Sequence, residues 1–405
     1  MRKNTISVFL TIGLAVLICL GNYLAVLAQT VDETLQLNRQ AKFVLKNKEE
    51  KTLTLNLKKD DFTEINWTDK LERSPNFSII SPSGKDIAKE IYSDNPAMFI
   101  ANETGKYKLI VRFEDIENDK DGQITLSYSN SFKMPKSAKL QRQRKVNGYD
   151  VEVYNTSQDQ STTYLLIKKG GKLKEILEGG SLVGGGFNFS DEPSNYDGAA
   201  GKKSAMLMRT TVDKTGDGTP DIAIGFFSGG AHCCFDMHFY ELGKDNIKKL
   251  KVINGQDSDV VAIGKQPNGG IILSTGDSNF TYWLTSFAGS PIPSVILTFQ
   301  NGEFRPNVKL MKKPAPSLAV IKQKAAKARK DIDLTPYEGE ENSNFINAFW
   351  GEMLDWMYSG NETAAWQYFD LVWDKRKPGK EKFKNDFLQK LNESEYWQQM
   401  KESQK

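Results

Sequence analysis

Cysteine and histidine are scarce in this chain, whose 405 residues include three cysteines and two histidines. Beyond residue 28 only the adjacent Cys233 and Cys234 remain, so no pair of distant cysteines is available for a disulfide there. The fold must therefore be stabilised by burial of apolar side chains. The 377 residues that follow residue 28 (405 less 28) are enough for roughly two or three domains.

Net charge and long apolar runs are also lacking beyond the N-terminus. The formal charge is +3, and removal of Arg2 and Lys3 would reduce it to +1. A balance this close to zero gives no support to nucleic-acid binding. No later segment approaches the ~18–20 consecutive apolar residues of a transmembrane helix. We therefore expect neither a nucleic-acid partner nor a transmembrane segment in the mature chain.

The first 28 residues have the layout of a secretory signal peptide. Arg2 and Lys3 form its basic part, residues 8–20 its apolar part, and small residues up to Ala28 its cleavage site. Gly21 and Asn22 interrupt the apolar run, which argues against an uncleaved membrane anchor. The sequence predicts cleavage after Ala28 and a secreted or periplasmic protein.

Residues 32–130 are predicted to form an antiparallel β-sandwich. Leu53, Leu55 and Leu57 alternate with polar residues in KTLTLNL. Period-two patterning of this kind, with turn residues at intervals, is typical of sandwich strands. The same pattern recurs in residues 77–84, 104–113 and 122–128.

Two short motifs in this region carry a family resemblance. Ser81-Pro82-Ser83-Gly84 and Thr104-Gly105-Lys106-Tyr107 resemble the bacterial pre-peptidase C-terminal domain over about a hundred residues. That family is a small jelly-roll-like sandwich appended to secreted enzymes, where it is thought to assist attachment to a surface or substrate. The resemblance implies an accessory binding module.

The rest of the chain divides by composition into three regions. Residues 131–148 are polar and basic without apolar periodicity, which indicates a linker. Residues 149–310 return to strand patterns and predict a second β domain, a sandwich or a partial propeller-like fold. Residues 311–405 show helical spacing of apolar and aromatic side chains, as in 343–360, and predict a small helical bundle. The predicted fold class is mainly β with a C-terminal α region.

The most specific motif is the acidic loop D-K-T-G-D-G-T-P-D at residues 213–221. It offers an oxygen ligand at every second position, from Asp213, Thr215, Asp217, Thr219 and Asp221. Calcium takes ~6–8 oxygen ligands, and such a loop can wrap the ion, with Thr219 contributing its backbone carbonyl. Gly216 and Gly218 permit the positive φ values of a tight loop. The sequence predicts a calcium site here; the alternative is an Asp-Gly turn without metal.

The same loop, which runs directly into the strand PDIAIGFF, resembles the calcium loops of FG-GAP and VCBS-type repeats. Those repeats are blades of integrin-like propellers. The chain departs from the family at the third position, which is Thr215, and it contains no second copy of the motif. A closed propeller needs at least ~4 blades. The resemblance therefore implies a propeller-like blade set within another β fold.

Both histidines and two of the three cysteines lie in SGGAHCCFDMHFYEL, residues 228–242. His232 and His238 would lie about 20 Å apart on an extended strand, since each residue rises ~3.3 Å. That is too far for one zinc ion, whose bonds measure ~2.0–2.3 Å. Cys233 and Cys234 either form a strained vicinal disulfide or remain buried free thiols beside His232. Both alternatives stay open.

This stretch begins seven residues after Asp221. We therefore expect the acidic loop and the cysteine turn to lie at neighbouring ends of one hairpin and to form one site. The string G-G-A-H-C-C after such a loop is similar to secreted bacterial proteins, a kinship that implies no activity.

Three classes of function are compatible with these features. The first is an exported, calcium-stabilised binding or structural protein of the cell envelope, with a polysaccharide or protein ligand. The second is a secreted hydrolase that uses paired carboxylates and an accessory sandwich. The third is a thiol-redox or metal protein, which the absence of C-x-x-C disfavours. The chain also lacks a G-x-S-x-G elbow. We predict the first class, a binding protein rather than an enzyme.

Overall fold

The computed structural model describes most of the chain, which divides into two compact units, Met1–Lys133 and Met134–Lys405. The described residues are 33–46, 49–69, 75–91, 97–112, 122–156, 160–182, 185–192, 198–229, 234–244, 246–332, 334–340, 345 and 348–404. The predicted signal peptide lies outside them. Strands account for 41% and helices for 23%, so the predicted fold class, mainly β with a C-terminal α region, is confirmed. None of the helices described here is long and apolar enough to cross a membrane.

The first unit is a β-sandwich. Its strands are β1 (Glu33–Thr34), β2 (Ala41–Leu45), β3 (Glu50–Leu57), β4 (Phe62–Asp69), β5 (Asn76–Ile80), β6 (Asp86–Ile91), β7 (Ala97–Ile100), β8 (Gly105–Arg112) and β9 (Gly122–Ser129). They form two sheets, of order β1-β3-β8-β5-β6 and β2-β9-β4-β7. The two sheets share one apolar core.

Period-two alternation explains this core. Leu53 and Leu55 of β3 are fully buried, as are Tyr107 and Leu109 of β8. Leu53 pairs with Leu109, and Leu55 with Tyr107. The pattern read from the sequence therefore marks the buried face correctly, because successive side chains of a strand point to opposite sides.

The second unit begins with three antiparallel sheets. Its strands are β10 (Lys139–Val146), β11 (Tyr149–Asn155), β12 (Gln160–Lys169), β13 (Lys172–Leu182), β14 (Gly186–Phe189), β15 (Asp221–Phe227), β16 (Phe235–Leu242), β17 (Ile247–Lys249), β18 (Ile253–Gln256), β19 (Val261–Lys265), β20 (Ile271–Gly276), β21 (Ser294–Gln300) and β22 (Glu303–Pro306). The sheets have the orders β10 to β13, β14 to β17 with β18 beside β16, and β19 to β22. Helix α1 (Gly198–Leu207) lies between β14 and β15 in the chain.

The three sheets pack in series, as the two faces of β16 show. Tyr240 and Leu242 on one face share a core with the β10–β13 sheet. Met237 and Phe239 on the other face share a core with the β19–β22 sheet. The second sheet therefore lies between the first and the third, and the partial propeller-like fold stays a prediction.

Residues 139–146 correct the predicted linker, because they form strand β10 at the edge of a sheet, paired with β11. The apolar pattern of the sequence does not predict this strand, because its side chains are charged and are stabilised by tertiary contacts. Arg142 pairs with Glu192 at 2.8 Å, and Arg144 with the same carboxylate at 2.7 Å. The Arg144 guanidinium also lies 4.6 Å from the ring centre of Phe189.

The C-terminal region is helical, as predicted, but its helices share a core with the third sheet. They are α2 (Val308–Met311), α3 (Leu318–Arg329), α4 (Trp350–Tyr358), α5 (Glu362–Val372), α6 (Lys380–Glu393) and α7 (Glu395–Glu402). The connection between β20 and β21 enters this core through Phe280 and Trp283. Trp283 meets Trp350 edge to face at 5.2 Å, and Phe280 lies 5.3 Å from Phe387.

Aromatic side chains fill the centre of the helical region around Phe383, which is fully buried. Its ring contacts those of Trp283, Tyr337, Phe345, Phe349, Trp350, Phe369, Trp373 and Phe387. These aromatic rings thus belong to the core, as the helical spacing of aromatic side chains in this region predicts.

Candidate functional site

The acidic loop 213–221 lies between α1 and β15 and is closed by the Asp213 carboxylate. Asp213 Oδ1 accepts hydrogen bonds from the N–H groups of Thr215 (3.1 Å) and Gly216 (2.6 Å), and Oδ2 accepts from Gly218 N–H (2.6 Å). Partial burial acts to raise the pKa of Asp213, but these donors hold it below its usual value. The loop is a turn held by its own amides, with φ of 85° at Gly216 and 87° at Gly218.

The other two aspartates of the loop point in different directions. Asp217 is exposed and its Oδ1 accepts the N–H of Thr219 at 2.7 Å. Asp221 is fully buried, and its Oδ2 accepts the N–H groups of Lys214 and Thr215. Asp221 Oδ1 has no hydrogen-bond partner among the described residues.

Lys214, the second residue of the loop, is fully buried. Its ammonium group donates to the backbone carbonyls of Arg209 (2.9 Å), Val212 (3.0 Å) and Asp221 (2.8 Å). Burial lowers the pKa of Lys214 and raises that of Asp221, while their opposite charges act against both shifts. The Lys214 carbonyl accepts the N–H of Ile271 at 2.9 Å, which ties the loop to β20.

The turn between β19 and β20 approaches the loop closely at Gly270. A Cβ added to Gly270 would lie 2.8 Å from the carbonyl oxygen of Thr215. Real Cβ atoms essentially never come so close to another heavy atom. Glycine is therefore required here because backbone meets backbone.

These contacts bear on the predicted calcium site. In the part of the chain that the structure describes, no three His, Cys, Asp or Glu side chains are grouped so that they could hold a metal. Asp213 accepts hydrogen bonds from three N–H groups of the loop, and Asp217 is exposed. Asp221 is buried and accepts the N–H groups of Lys214 and Thr215. As placed, the carboxylates do not fit one calcium ion, and calcium binding stays a prediction.

The hairpin β15–β16 separates the acidic loop from the cysteine turn. Asp221, at the start of β15, pairs with Glu241, and Phe227, at its end, pairs with Phe235. The loop and the turn thus lie at opposite ends of the hairpin, about 20 Å apart at ~3.3 Å per residue. The expectation that they form one site is wrong, because an extended strand lies between them.

Cys234, the first residue after the part of the turn that is not described, is disulfide-bonded. Its N–H donates to the Ser228 hydroxyl at 2.6 Å, and the Ser228 N–H donates to the Cys234 carbonyl at 3.0 Å. Cys19, Cys233 and His232 lie outside the described residues. The vicinal disulfide therefore stays a prediction.

His238 lies on β16 beside Ile224, with its ring 6.0 Å from that of Phe187. Its Nδ1 is buried and finds no hydrogen-bond partner in the described structure. Burial, with a contribution from the charge of Lys249, lowers the pKa of His238 to about 3. The ring is therefore neutral at pH 7, and no described carboxylate orients it as in a catalytic triad.

A cavity of about 250 Å³ lies where the second and third sheets meet the last two helices. It is lined by residues 251–256 around β18, by residues 276–279 after β20, and by residues 393–396 with Gln399 from α6 and α7. No sequence motif marks these residues. The segments are ordinary in composition, and Asp277 and Ser394, which meet here, are 117 positions apart.

Asp277 fixes the wall of this cavity. Its Oδ1 accepts the N–H of Asn279 at 3.0 Å, and its Oδ2 accepts the hydroxyl groups of Tyr358 and Ser394. Ser394 Oγ in turn accepts the N–H of Trp397 at 3.0 Å and caps α7. Burial, and then the charge of Asp277, raise the pKa of Tyr358, so its hydroxyl remains a donor. These hydrogen bonds join the end of β20 to the start of α7.

Two residues that line the cavity each carry a buried polar atom without a partner among the described residues, Ser278 Oγ and Gln399 Oε1. Ser278 is 7% and Gln399 9% exposed. The amide nitrogen of Gln399 donates to Glu395 at 2.9 Å, which leaves its oxygen as an open acceptor. A buried polar group left unsatisfied costs about 1–3 kcal/mol.

The carboxylates along the cavity are occupied by the protein itself. Glu393 pairs with Lys390 at 2.8 Å, and Glu395 pairs with Lys251. Asp277 holds the hydroxyl groups described above. The carboxylates therefore already have partners within the protein, and the polar atoms that lack a partner, Ser278 Oγ and Gln399 Oε1, belong to uncharged side chains.

Comparison with known proteins finds similarity only to solved structures and at low levels. No family model and no curated protein matches the chain. PliG of Aeromonas hydrophila, a periplasmic inhibitor of g-type lysozyme, is 17% identical, with 24% of this chain and 93% of that chain covered, at a TM-score of 0.21. The pre-peptidase C-terminal domain of a Bacillus anthracis collagenase is 22% identical with the same coverage and TM-score.

A Bacillus licheniformis lipase in propeptide form is 10% identical, with 59% of this chain and 44% of that chain covered, at a TM-score of 0.17. The predicted resemblance to the pre-peptidase C-terminal domain thus has a weak structural counterpart, whereas the FG-GAP resemblance stays a prediction. Similarity at this level carries no functional conclusion, and the function must be argued from the residues.

Proposed function

We propose that this chain is an exported binding protein of the cell envelope. Its cavity beside Asp277 takes a small neutral ligand rich in hydroxyl groups, such as one saccharide unit. The observation that carries the proposal is the pair of buried, unpartnered polar atoms in the cavity wall, Ser278 Oγ and Gln399 Oε1.

The chemistry of these two atoms favours hydroxyl groups on the ligand. Gln399 Oε1 only accepts hydrogen bonds, while the Ser278 hydroxyl both donates and accepts. A ligand hydroxyl can donate to Gln399 Oε1, and it can either donate to or accept from the Ser278 hydroxyl. Asn254 and Gln256, which also line the cavity, add further amide donors and acceptors.

Charge and size narrow the ligand further. The cavity carboxylates are paired within the protein, so a charged ligand would have to displace an existing partner. A volume of about 250 Å³ is below the ~300–1,000 Å³ of sites for drug-sized ligands. The cavity therefore suits a single small ring, or the end unit of a polymer that extends into solvent.

The remaining features support a place outside the cytoplasm. The N-terminal residues carry the pattern of a signal peptide, and the first unit is a β-sandwich without a cavity role in this proposal. The acidic loop takes no part in this proposal, since it lies in a different part of the second unit from the Asp277 wall.

Binding can be measured on the full mature chain by saturation-transfer difference NMR. Glucose, galactose and N-acetylglucosamine serve as neutral probes, with lysine and citrate as charged probes. We expect at least one neutral probe to bind. Ser278→Ala and Gln399→Leu should each weaken it about tenfold, the equivalent of one hydrogen bond.

Gln398→Leu is the matched control, because Gln398 is the exposed neighbour of Gln399 on the same helix. It should leave the affinity unchanged. Binding of only the charged probes would contradict the proposal. So would binding that neither cavity variant weakens, or the failure of every neutral probe to bind at millimolar concentration.

A further inference from the structure

We infer that the acidic loop 213–221 carries its own cation, the ammonium group of Lys214, in the structural role that the sequence motif assigns to calcium. The inference concerns a different part of the second unit from the cavity and does not depend on the proposed ligand.

The ammonium group has a complete set of partners. It has three N–H donors, and it meets three carbonyl oxygens at 2.8–3.0 Å, those of Arg209, Val212 and Asp221. The side chain is fully buried. A lysine held in this way is fixed in position, and it is already the counter-charge of the neighbouring carboxylates.

These contacts join the elements around the loop. The carbonyls of Arg209 and Val212 belong to the turn after α1, and that of Asp221 belongs to the first residue of β15. The backbone of Lys214 makes two more hydrogen bonds. Its carbonyl accepts the N–H of Ile271 of β20 at 2.9 Å, and its N–H donates to the Asp221 carboxylate. One residue thus links a helix end, the loop and two strands, as a bound metal ion would.

The carboxylates leave little for a metal ion. The oxygens of Asp213 accept loop amides, and one oxygen of Asp221 accepts two more. Among the described atoms of the loop, Asp221 Oδ1 is the buried carboxylate oxygen that stays unpartnered. The described carboxylates are not grouped to supply the ~6–8 oxygen ligands that calcium takes. A divalent ion would also be repelled by the buried ammonium group nearby.

The experiment compares the full mature chain in 1 mM EDTA and in 5 mM calcium chloride. The readouts are the thermal transition and the hydrogen exchange of residues 213–221. The inference predicts the same transition in both, within about 1 °C. It also predicts slow exchange in EDTA at Thr215, Gly216 and Gly218, whose N–H groups are bonded to Asp213.

Lys214→Met keeps an unbranched side chain that lacks only the terminal ammonium group, and so removes the charge. It leaves the three carbonyls without their donor, whereas the Asp221 carboxylate keeps the N–H groups of residues 214 and 215 and loses only the nearby positive charge. We expect its transition to fall by roughly 5–15 °C, because buried carbonyl groups are left without a hydrogen-bond donor. Lys202→Met, at an exposed position on α1, is the matched control and should stay within about 1 °C of the unchanged protein.

Stabilisation of the unchanged protein by calcium, with fast exchange of the loop in EDTA, would overturn the inference. It would return the loop to the calcium-bound interpretation. Equal transitions for Lys214→Met and Lys202→Met would also overturn it. If Lys214→Met does not fold, the two measurements on the unchanged protein still decide between the ammonium group and calcium.

Discussion

Mild acid should destabilise the second unit through His238. The pKa of this buried ring is about 3 in the folded chain, against about 6.5 in the unfolded chain. Above pH 6.5 both states hold a neutral ring, so it contributes no pH dependence. Between pH 6.5 and 3 only the unfolded chain binds the proton. The free energy of unfolding therefore falls as the pH falls through this window.

The magnitude follows from the size of the shift. One pKa unit corresponds to about 1.36 kcal/mol, so lowering the pH from 6.5 to 5 should remove at most about 2 kcal/mol. His238→Leu keeps an apolar side chain of similar size against Phe187 and should abolish this loss. Burial raises the pKa values of Asp221 and Asp236, which titrate with the opposite sign. Their effect cancels in the difference between the two proteins.

Urea unfolding at pH 7 and pH 5, followed by tryptophan fluorescence, measures this difference. The signal reports chiefly on the second unit, since Trp67 is the sole tryptophan before residue 134. His232→Leu removes the other imidazole of the chain and separates its share of the acid response. An equal loss of stability in the unchanged protein and in His238→Leu would refute the reasoning.

Three further predictions can be checked by unfolding and mass measurements. Phe383→Ala should destabilise the second unit by about 3–5 kcal/mol, because it removes the ring at the centre of the aromatic core. Gly270→Ala should cost about 1–3 kcal/mol, since its Cβ meets the backbone of the acidic loop; Gly180→Ala, with no described atom within 4 Å of the added Cβ, should cost nothing. If Cys233 and Cys234 form a vicinal disulfide, mild reduction should raise the intact mass by about 2 Da. Two thiols that react with an alkylating agent in denatured, unreduced protein would refute the disulfide.

Side-chain periodicity predicted the fold where one face of an element is buried by its own sheet or bundle. Leu53 and Leu55 mark the inner face of β3, and Met353 and Trp356 mark the inner face of α4. In each case the period of the backbone is visible in the order of apolar residues. The fold class and the helical C-terminal region followed from this information alone.

Periodicity failed where tertiary contacts replace apolar burial. The sequence of strand β10 predicts a basic linker because it contains arginines in place of apolar residues. These arginines are stabilised by Glu192 and by the ring of Phe189, which belong to a distant part of the chain. The acidic loop shows a related limit. Its spacing suits calcium, but the fixed position of the Lys214 ammonium group depends on carbonyls outside the motif, including that of Arg209.

The cavity was beyond sequence reasoning for a further physical reason. Asp277, Tyr358 and Ser394 form one buried network, yet each is unremarkable beside its own neighbours in the chain. The network joins two walls of the cavity, whose lining also includes Ser278 and Gln399 with their unsatisfied polar atoms. A ligand that satisfies these atoms binds the folded state alone. At 100 times its dissociation constant it would stabilise that state by about 2.7 kcal/mol. The stability of the second unit is therefore itself a means of finding the ligand.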